Sequence, residues 1–173
     1  MVVILAGCDG TGKSTCFDKL RKSLDADFIK ESYTKSFFEK KARAFYTASR
    51  VGDDRLLIYD RATILDDLVY DPVMINQPSR LIDTMGKGLI SDILNKCLII
   101  YFDLDDVVLT DRLELRGDDY IEAHHINKIK HSYDKVFEIF DVNREYLDTT
   151  GLSREEVFNK VKEIIKYEKL KDR

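Results

Sequence analysis

The sequence is poor in cysteine and proline, and it has no long hydrophobic run. Three cysteines in 173 residues are too few and too unevenly spaced for a disulfide framework or a zinc site. This scarcity favours a reduced, cytoplasmic setting, which is the host cytoplasm if the source is a virus. No apolar run approaches the length of a membrane span, so we expect no membrane partner. No basic stretch precedes the apolar N-terminal residues, and we therefore expect no signal peptide.

An excess of positive charge is also missing. Lys and Arg number 28 against 32 Asp and Glu, which gives a net charge of −4 at pH 7. This balance argues against a general nucleic-acid binder, so no nucleic acid polymer is expected as a partner. Binding of a single nucleotide needs only a local cationic pocket and stays compatible with the charge. The length favours a single domain over residues 1–173.

A glycine-rich segment near the N-terminus is the most informative feature of the chain. The apolar run Val2–Ala6 leads into Gly-Cys-Asp-Gly-Thr-Gly-Lys-Ser-Thr at residues 7–15, which we call the phosphate loop. Backbone N–H groups of such a loop cradle phosphate oxygens, its lysine adds a cation, and its serine hydroxyl binds Mg²⁺. ATP and Mg²⁺ are therefore the predicted ligands. The ATP-binding residues predicted from this segment are Gly7, Gly10, Thr11, Gly12, Lys13, Ser14 and Thr15.

Strand and helix patterns alternate along the rest of the chain. The predicted strands are Val2–Ala6, 28–29, 56–59, 98–102 and 146–147. The predicted helices are 13–24, 35–50, 64–70, 79–95, 107–116, 121–140 and 153–169. Both prolines fall within 71–79, which we predict to be an exposed loop. The alternation predicts an α/β protein with the three-layer P-loop NTPase fold, a five-stranded parallel sheet with helices on both faces.

A charged pair stands directly after the third predicted strand. Asp60 and Arg61 follow the apolar residues 56–59, and the carboxyl ends of parallel strands form the edge where ligands bind. Asp60 can order the waters of Mg²⁺, with Ser14 as the other metal ligand. Arg61 can hold a second phosphate bidentately. A surface ion pair that caps the next helix is the alternative.

Two arginines four residues apart indicate a lid. Arg112 and Arg116 share one face of a predicted helix that Gly117 ends. A segment that closes over a triphosphate would exclude water and bring both guanidinium groups to the transferred phosphoryl group. We place this short lid around residues 112–122. The alternative is a solvated helix in which neighbouring acidic residues pair with the arginines.

Several other titratable residues are candidates for a site. Glu31 follows the second predicted strand and could hold a metal-bound water, act as a base toward a hydroxyl, or simply flank a helix. Asp9 lies inside the phosphate loop and is expected to point toward a sugar hydroxyl of an acceptor, or to stiffen the loop. His124, His125 and His131 have no cysteine or carboxylate cluster beside them, so we expect solvated or structural side chains.

Together these motifs resemble the thymidylate kinase family of nucleoside monophosphate kinases over nearly the whole chain. Residues 7–15 are similar to the family's G-x-D-G-x-G-K-[ST]-T loop, and Asp60-Arg61 to the start of its Asp-Arg-Tyr motif. Lys30-Glu31 is similar to its Arg-Glu pair after the second strand. Residues 46–50 loosely resemble its Phe-Ser-Ala-Asn-Arg segment, whose arginine faces the base. Residues 147–149 resemble its adenine-side strand.

The resemblance implies an enzyme of nucleotide biosynthesis. It transfers the γ-phosphoryl group of ATP, with Mg²⁺, to a deoxynucleoside monophosphate, above all dTMP or a related, modified pyrimidine. It also implies a homodimer, because relatives commonly dimerise. The implied catalytic residues are Lys13, Arg61, Arg112 and Arg116. The implied acceptor residues are Asp9, Glu31, Arg50, Asp60 and Arg61, and Thr149 is implied to bind ATP.

The chain departs from the family's pattern at three places. Ala62 replaces the aromatic residue after Asp-Arg, and the segment between Arg50 and Asp60 is short. The lid lacks a second arginine that often precedes its Ile-Glu. Gly10 stands where some members carry an arginine in the loop, so the resemblance implies the variety whose catalytic arginine comes from the lid.

Two other functions stay open at this point. A deoxynucleoside kinase shares this architecture and phosphorylates the nucleoside 5′-hydroxyl, although such enzymes typically carry Glu-Arg-Ser where this chain has Asp-Arg-Ala at residues 60–62. A nucleotide-binding switch or ATPase would need a residue that positions water and a further Asp motif for Mg²⁺. The sequence shows no clear one.

Overall fold

A computed structural model describes residues 1–32, 34, 36–116 and 123–171 of the chain. The strands are β1 (Val2–Ala6), β2 (Asp27–Lys30), β3 (Leu57–Asp60), β4 (Cys97–Asp103) and β5 (Arg144–Asp148). The helices are α1 (Lys13–Ser23), α2 (Phe37–Arg50), α3 (Thr63–Met74), α4 (Arg80–Met85), α5 (Lys87–Asn95), α6 (Asp106–Arg116), α7 (Ala123–Ile139) and α8 (Arg154–Lys171).

The strands form one parallel sheet in the order β2-β3-β1-β4-β5. β1 lies at its centre, with Val2 beside Leu57 on one side and Cys97 on the other. Every residue of β1 is buried, which explains why its sequence is continuously apolar rather than alternating. The predicted α/β fold with a five-stranded parallel sheet is confirmed.

Apolar clusters cover both faces of the sheet. Because successive strand residues point to opposite faces, Val2 and Ile4 pack in one cluster and Val3 and Leu5 in the other. The first cluster includes side chains of α2, α3, α5 and α7. The second includes side chains of α1 and α8. Helices therefore lie on both faces, and the carboxyl ends of the strands form one edge at which the loops meet.

Two predicted elements differ from the structure. The segment 71–79 is not simply an exposed loop, because α3 continues to Met74 and Asp71 is only 3% exposed. Its carboxylate binds the ammonium group of Lys40 on α2, and this buried ion pair holds the end of α3 despite Pro72. The single helix predicted over 79–95 is divided at Gly86, whose φ of 78° ends α4 and begins α5. Within the described ranges, no helix has both the length and the apolarity to cross a membrane.

Candidate active site

The phosphate loop connects the central strand to the first helix, as its pattern predicts. Gly10 lies at the top of the loop with a φ of 85°. A Cβ atom there would come within 2.8 Å of a methyl carbon of Leu109 on α6. The guanidinium of Arg112, on the same helix, donates a hydrogen bond of 3.2 Å to the Gly10 carbonyl. Glycine is therefore required where α6 packs directly on the loop.

Lys13 is the cation of the loop, and it is buried. Its side-chain ammonium donates hydrogen bonds to the carbonyls of Gly7 at 2.7 Å and Cys8 at 2.5 Å. The residue is 4% exposed. Burial, helped by the nearby positive charge of Arg61, lowers the pKa of Lys13 to about 8. The charge is thus already desolvated at the place where phosphate oxygens are predicted to bind.

A cavity of about 330 Å³ borders the phosphate loop on the side of α6 and α8. We call it the donor cavity. Thr149, just after β5, lines it and donates a hydrogen bond of 2.7 Å to the carbonyl of Asp103 at the end of β4. Arg112 lines it from α6. The structure therefore brings both residues to the loop. Its lining also includes Gly10, Thr11, Gly12 and Thr15.

The lid prediction falls mostly outside the described residues. α6 ends at Arg116, but the side chain of Arg116 and residues 117–122 lie outside the described part of the chain. The roles of Arg116 and of the lid therefore stay predictions. Arg112 alone of the two arginines can be located, beside the loop.

A second cavity, of about 280 Å³, lies on the other side of the loop, and we call it the acceptor cavity. Its walls come from the phosphate loop, the ends of β2 and β3, and α3. The lining residues are Asp9, Ser14, Lys30, Glu31, Ser32, Asp60, Arg61, Tyr70 and Met74. Strands that are far apart in the sequence thus bring five of the predicted site residues to one cavity.

Asp60 is the residue in this cavity that most clearly calls for a ligand. It is 1% exposed, and no described group donates a hydrogen bond to either carboxylate oxygen. The ammonium of Lys30 lies 3.4 Å from one of them. Buried carboxylates are normally satisfied by donors or metals, and a hard oxygen donor suits Mg²⁺. Because Ser14 lines the same cavity, the residues present fit a divalent cation.

Three side chains contact the guanidinium group of Arg61. Its guanidinium pairs with Asp9 of the phosphate loop and with Asp66 of α3, the latter at 3.1 Å. It also lies 5.1 Å from the centre of the Tyr70 ring. These neighbours raise its pKa well above the usual value, although burial acts against the charge. The backbone φ of Arg61 is 68°, an unfavourable value for a side chain of this size.

Glu31 lines the acceptor cavity and also caps a helix. Its carboxylate accepts hydrogen bonds from the backbone N–H and the hydroxyl of Thr63, the first residue of α3, at 2.5 and 2.6 Å. Glu31 is 9% exposed, and burial raises the pKa of its carboxyl group. Glu31 therefore flanks a helix and lines the acceptor cavity at the same time, so the two interpretations do not exclude each other.

Arg50 is not in the acceptor cavity, and its assignment to the acceptor is corrected. Its guanidinium pairs with Asp27 and Asp53, each at 3.0 Å, and donates to the Tyr46 hydroxyl at 2.9 Å. Asp27 is the first residue of β2, so this cluster lies at the amino edge of the sheet, opposite the phosphate loop. α2 begins after the carboxyl end of β2 and returns to the amino edge, so its last residue, Arg50, lies away from the phosphate loop.

Sequence reasoning missed the side chains that support Arg61. Asp66 and Tyr70 contact the guanidinium from α3, and Tyr133 of α7 places its hydroxyl 3.4 Å from an Asp66 oxygen. The Tyr133 hydroxyl also lies 3.4 Å from the Gly7 carbonyl. The available signal was the pair of carboxylates Asp66 and Asp67 between the apolar residues of α3.

Comparisons with known proteins give relatives of the same architecture. No family model matches the chain. The SPbeta prophage-derived uncharacterized protein YorR of Bacillus subtilis is 29% identical over 156 residues, which are 90% of this chain and 93% of that protein. The crystal structure of YorR in complex with phosphorylated GDP is 27% identical, covers 97% of both chains and superposes with a TM-score of 0.73.

Solved kinases share the fold at lower identity. Deoxyadenosine kinase from M. mycoides, with bound dCTP, has a TM-score of 0.65 at 17% identity, over 96% of this chain and 100% of that chain. Thymidylate kinase from Candida albicans has a TM-score of 0.62 at 17% identity, over 97% and 92%. The chain therefore has the fold of the P-loop nucleoside and nucleotide kinases, and this likeness does not separate the two kinds of acceptor.

Proposed function

We propose that this protein is a nucleoside monophosphate kinase. It transfers the γ-phosphoryl group of ATP to a deoxynucleoside monophosphate, above all dTMP or a related, modified pyrimidine. The observation that carries the proposal is the acceptor cavity, where Lys30 and Arg61 provide two cations beside the phosphate loop. An acceptor that is already a phosphate needs cations and alignment more than it needs a base, because its second pKa lies near 6.

Each side chain has a definite role in this reaction. The loop amides and Lys13 bind the β- and γ-phosphates of the donor, and Arg61 binds the acceptor phosphate. Asp9 faces the acceptor sugar, while Arg112, with Arg116, neutralises the transferred group. An oxygen of the acceptor phosphate bonds to the γ-phosphorus as the β–γ bridging bond breaks, and ADP leaves.

Magnesium has two residues in this chain that would hold it, Ser14 and Asp60, both lining the acceptor cavity. When bound there, Mg²⁺ supplies positive charge to the phosphate oxygens. Of these two residues, Asp60 gives the stronger argument for a metal ion, since no described group donates a hydrogen bond to its buried carboxylate.

The donor nucleotide is part of the proposal. The structure of YorR contains phosphorylated GDP, so the first assays should test a guanine nucleotide as donor as well as ATP. We keep ATP as the proposed donor and expect GTP to be the informative comparison. Product formation with nucleotide alone, against nucleotide plus acceptor, distinguishes a kinase from an ATPase or a nucleotide-binding switch.

A deoxynucleoside kinase is the second candidate, and Glu31 is the observation that favours it. The Glu31 carboxylate is buried in the acceptor cavity, and its pKa is raised by burial. A carboxylate with a raised pKa accepts a proton from a hydroxyl more readily. Arg61 is already paired with two carboxylates, which leaves less of its charge for an acceptor phosphate.

One experiment separates the two candidates. We expect wild-type kcat/KM to be far higher for dTMP than for thymidine, because a missing phosphate leaves Arg61 without a charge-assisted contact worth about 2 kcal/mol. Arg61→Ala is expected to remove most of that preference, while Glu31→Gln keeps substantial activity on dTMP. A wild type that prefers thymidine, together with an inactive Glu31→Gln, would establish the nucleoside kinase instead. The same panel run with the other deoxynucleosides and their monophosphates identifies the base.

A further inference from the structure

The donor cavity has an aliphatic lining to which the proposed reaction assigns no role. Besides the phosphate loop, Leu115 of α6, Leu152 and Val157 line it. Leu115 is 88% exposed, so a bound molecule can cover it. Aliphatic side chains suit the flat faces of a heterocyclic base, while the loop binds the phosphates of the same nucleotide. We therefore expect the base of the donor to lie between α6 and the start of α8.

One cation reaches this aliphatic region from α8. Arg154 is the first residue of that helix, and it lines the donor cavity. The backbone before it is fixed, because the N–H of Leu152 donates a hydrogen bond of 3.2 Å to the carbonyl of Thr149. Ser153 and Glu156 then cap the helix reciprocally, with nitrogen-to-oxygen distances of 2.8 and 3.2 Å. The start of α8 is therefore a rigid support for the Arg154 side chain.

The two carboxylates next to Arg154 in the sequence are engaged by other groups. Glu155 pairs with Lys19 of α1 at 2.5 Å, and Glu156 accepts the hydrogen bond from the N–H of Ser153. The residues three and four positions further along α8, where a helical partner would lie, are apolar. Within the described ranges, no carboxylate pairs with Arg154. Its guanidinium therefore keeps its N–H donors for a ligand.

The first position of a helix is also unfavourable for a positive charge. The N-terminus of a helix carries a partial positive charge and favours acidic residues, such as Glu155 and Glu156 in the same turn. Arg154 is repelled by this partial charge and gains no described ion pair in return. Stability of the fold therefore does not account for an arginine at this place, whereas a ligand in the donor cavity does.

We propose that Arg154 binds the O6 and N7 edge of guanine, so that GTP serves as a phosphoryl donor beside ATP. A guanidinium presents two parallel N–H donors, and guanine offers two neighbouring acceptors, O6 and N7. Adenine offers N7 alone, because its N6 amino group is a donor. ATP still binds, since Arg154 is exposed and the N–H group that adenine leaves unpaired stays in water.

This inference rests on the proposed function only in taking the donor cavity as the place of the donor nucleotide. The transfer itself is the same with either donor. The bond between the γ-phosphorus and the β–γ bridging oxygen breaks, the bond to the acceptor oxygen forms, and GDP leaves in place of ADP. Arg154 contacts the base and not the transferred group, so its effect belongs to nucleotide binding.

Calorimetric titration with Mg-GDP and Mg-ADP, without acceptor, tests the assignment. We expect wild-type protein to bind GDP at least as tightly as ADP. Arg154→Gln should weaken GDP binding at least about fivefold, the effect of losing one bidentate contact with a base. It should leave ADP binding unchanged or tighter, because a glutamine amide matches N6 and N7 of adenine. Arg154 is exposed and unfavourable to the helix, so Arg154→Gln should melt at the wild-type temperature or slightly above it.

A second variant and a third nucleotide control for other effects of charge. Lys160→Gln removes one positive charge from an exposed position of the same helix that does not line the donor cavity, and it should leave both dissociation constants unchanged. Inosine carries O6 and N7 of guanine without the 2-amino group. Mg-IDP should therefore follow Mg-GDP in the wild type and in Arg154→Gln.

The possible results separate this inference from the proposed function. Equal weakening of ADP and GDP by Arg154→Gln would show a phosphate contact and overturn the recognition of guanine. A wild type that binds GDP more than about tenfold more weakly than ADP would overturn it as well. An active kinase whose preference Arg154→Gln leaves unchanged contradicts this inference alone. A shifted preference in a protein that transfers no phosphoryl group contradicts the kinase alone, and binding of neither nucleotide contradicts both.

Discussion

Two arginines of this protein have similar neighbours but lie at opposite edges of the sheet. Arg50 lies 5.9 Å from the ring of Tyr46, and Arg61 lies 5.1 Å from the ring of Tyr70. Their side chains are 19% and 18% exposed. Each pairs with two aspartates, which are Asp27 and Asp53 for Arg50 and Asp9 and Asp66 for Arg61. The local composition of a cluster therefore does not show whether it belongs to a site.

Position and burial separate the two clusters. Arg61 follows the carboxyl end of β3, beside the phosphate loop, in a backbone conformation with a positive φ. Burial raises the pKa of its partner Asp66, whereas hydrogen bonds lower the pKa of the exposed Asp53 beside Arg50. An unfavourable backbone conformation and desolvated charge persist only where the surrounding structure enforces them, and such places are typically functional.

The larger of two cavities does not lie at the edge of the sheet where the sequence predicts the site. The amino edge, near Arg50, holds a cavity of about 700 Å³, while the acceptor cavity near Arg61 holds about 280 Å³. The larger cavity is lined by mixed charges such as Asp53, Lys96 and Arg144. The smaller one contains a buried carboxylate without a described donor, Asp60. Here a buried carboxylate without a described hydrogen-bond donor, rather than the larger cavity, coincides with the predicted site.

The largest effect is expected from removing Lys13, the buried cation at the carboxyl edge. Lys13→Ala should raise the activation free energy by about 3 kcal/mol, because the transition state loses a preorganised positive charge. This corresponds to a loss of more than about a hundredfold in kcat. Lys96→Ala removes a lysine that pairs with Asp92 at the amino edge and should leave turnover unchanged. Steady-state kinetics on both folded variants gives the comparison. Near-normal turnover by Lys13→Ala would refute the assignment of the phosphate loop.

The two arginines themselves give the next largest difference. Arg61→Ala should lower kcat/KM for the monophosphate about 30-fold, the loss of one charge-assisted contact. Arg50→Ala should leave kcat/KM within error and lower the melting temperature slightly, since its cluster only joins the end of α2 to β2. Equal losses of activity in both variants would abolish the distinction between the two edges. Circular dichroism verifies that both variants are folded.

The pH dependence of Lys13 gives a third test, with opposite signs for activity and stability. Its pKa of about 8 in the folded protein lies below the ordinary 10.5, so kcat/KM for the donor should fall as the pH rises above about 8. Between those two values the unfolded chain binds more protons, so the contribution of Lys13 to the free energy of unfolding should rise. Besides burial, the charge of Arg61 lowers the pKa of Lys13, while Asp9, Cys8 and Asp66 raise it. A kcat/KM profile that stays flat to pH 9.5 would contradict this assignment.

The smallest effect is expected on the donor side of the loop, where Gly10 and Gly12 form a matched pair. Both have positive φ values, 85° and 99°, so alanine at either position costs about 1 kcal/mol of backbone strain. Only at Gly10 does the new methyl group collide with Leu109, because at Gly12 no atom of the described residues beyond its chain neighbours lies within 4 Å. Gly10→Ala should therefore lower the melting temperature further and also raise the donor KM by displacing Arg112. Equal losses of melting temperature at both glycines would show that α6 does not support the loop.

Sequence alone predicted the parts of this protein that short segments encode. The phosphate loop depends on nine consecutive residues, 7–15, and the alternation of strands and helices follows from local periodicity. Asp60 and Arg61 could be placed at the ligand edge because a parallel strand ends there. Ligands bind at the carboxyl ends of parallel strands, so the direction of β3 was enough to locate both residues.

The misplaced and missed residues depend on contacts between distant segments. Arg50 was assigned through a short motif, but it is the last residue of α2, and that helix ends at the amino edge beside Asp27. Asp66 and Tyr133 meet only because α3 packs against α7, which no local pattern encodes. Pro72 indicated a loop, but the ion pair between Lys40 and Asp71 keeps that turn helical.

The central place of β1 also governs the order in which the protein can fold. β1 is synthesised first, yet its neighbours in the sheet are Leu57–Asp60 and the strand that begins at Cys97. The segment Val-Val-Ile-Leu-Ala therefore gains its first partner only at residues 57–60 and its second only when the strand that begins at Cys97 has been made. Parallel pairing of such distant segments gives a high contact order and slow folding. The strand that presents the phosphate loop is thus the one most exposed to premature association, and nascent chains that end before residue 97 should depend on chaperones to stay in solution.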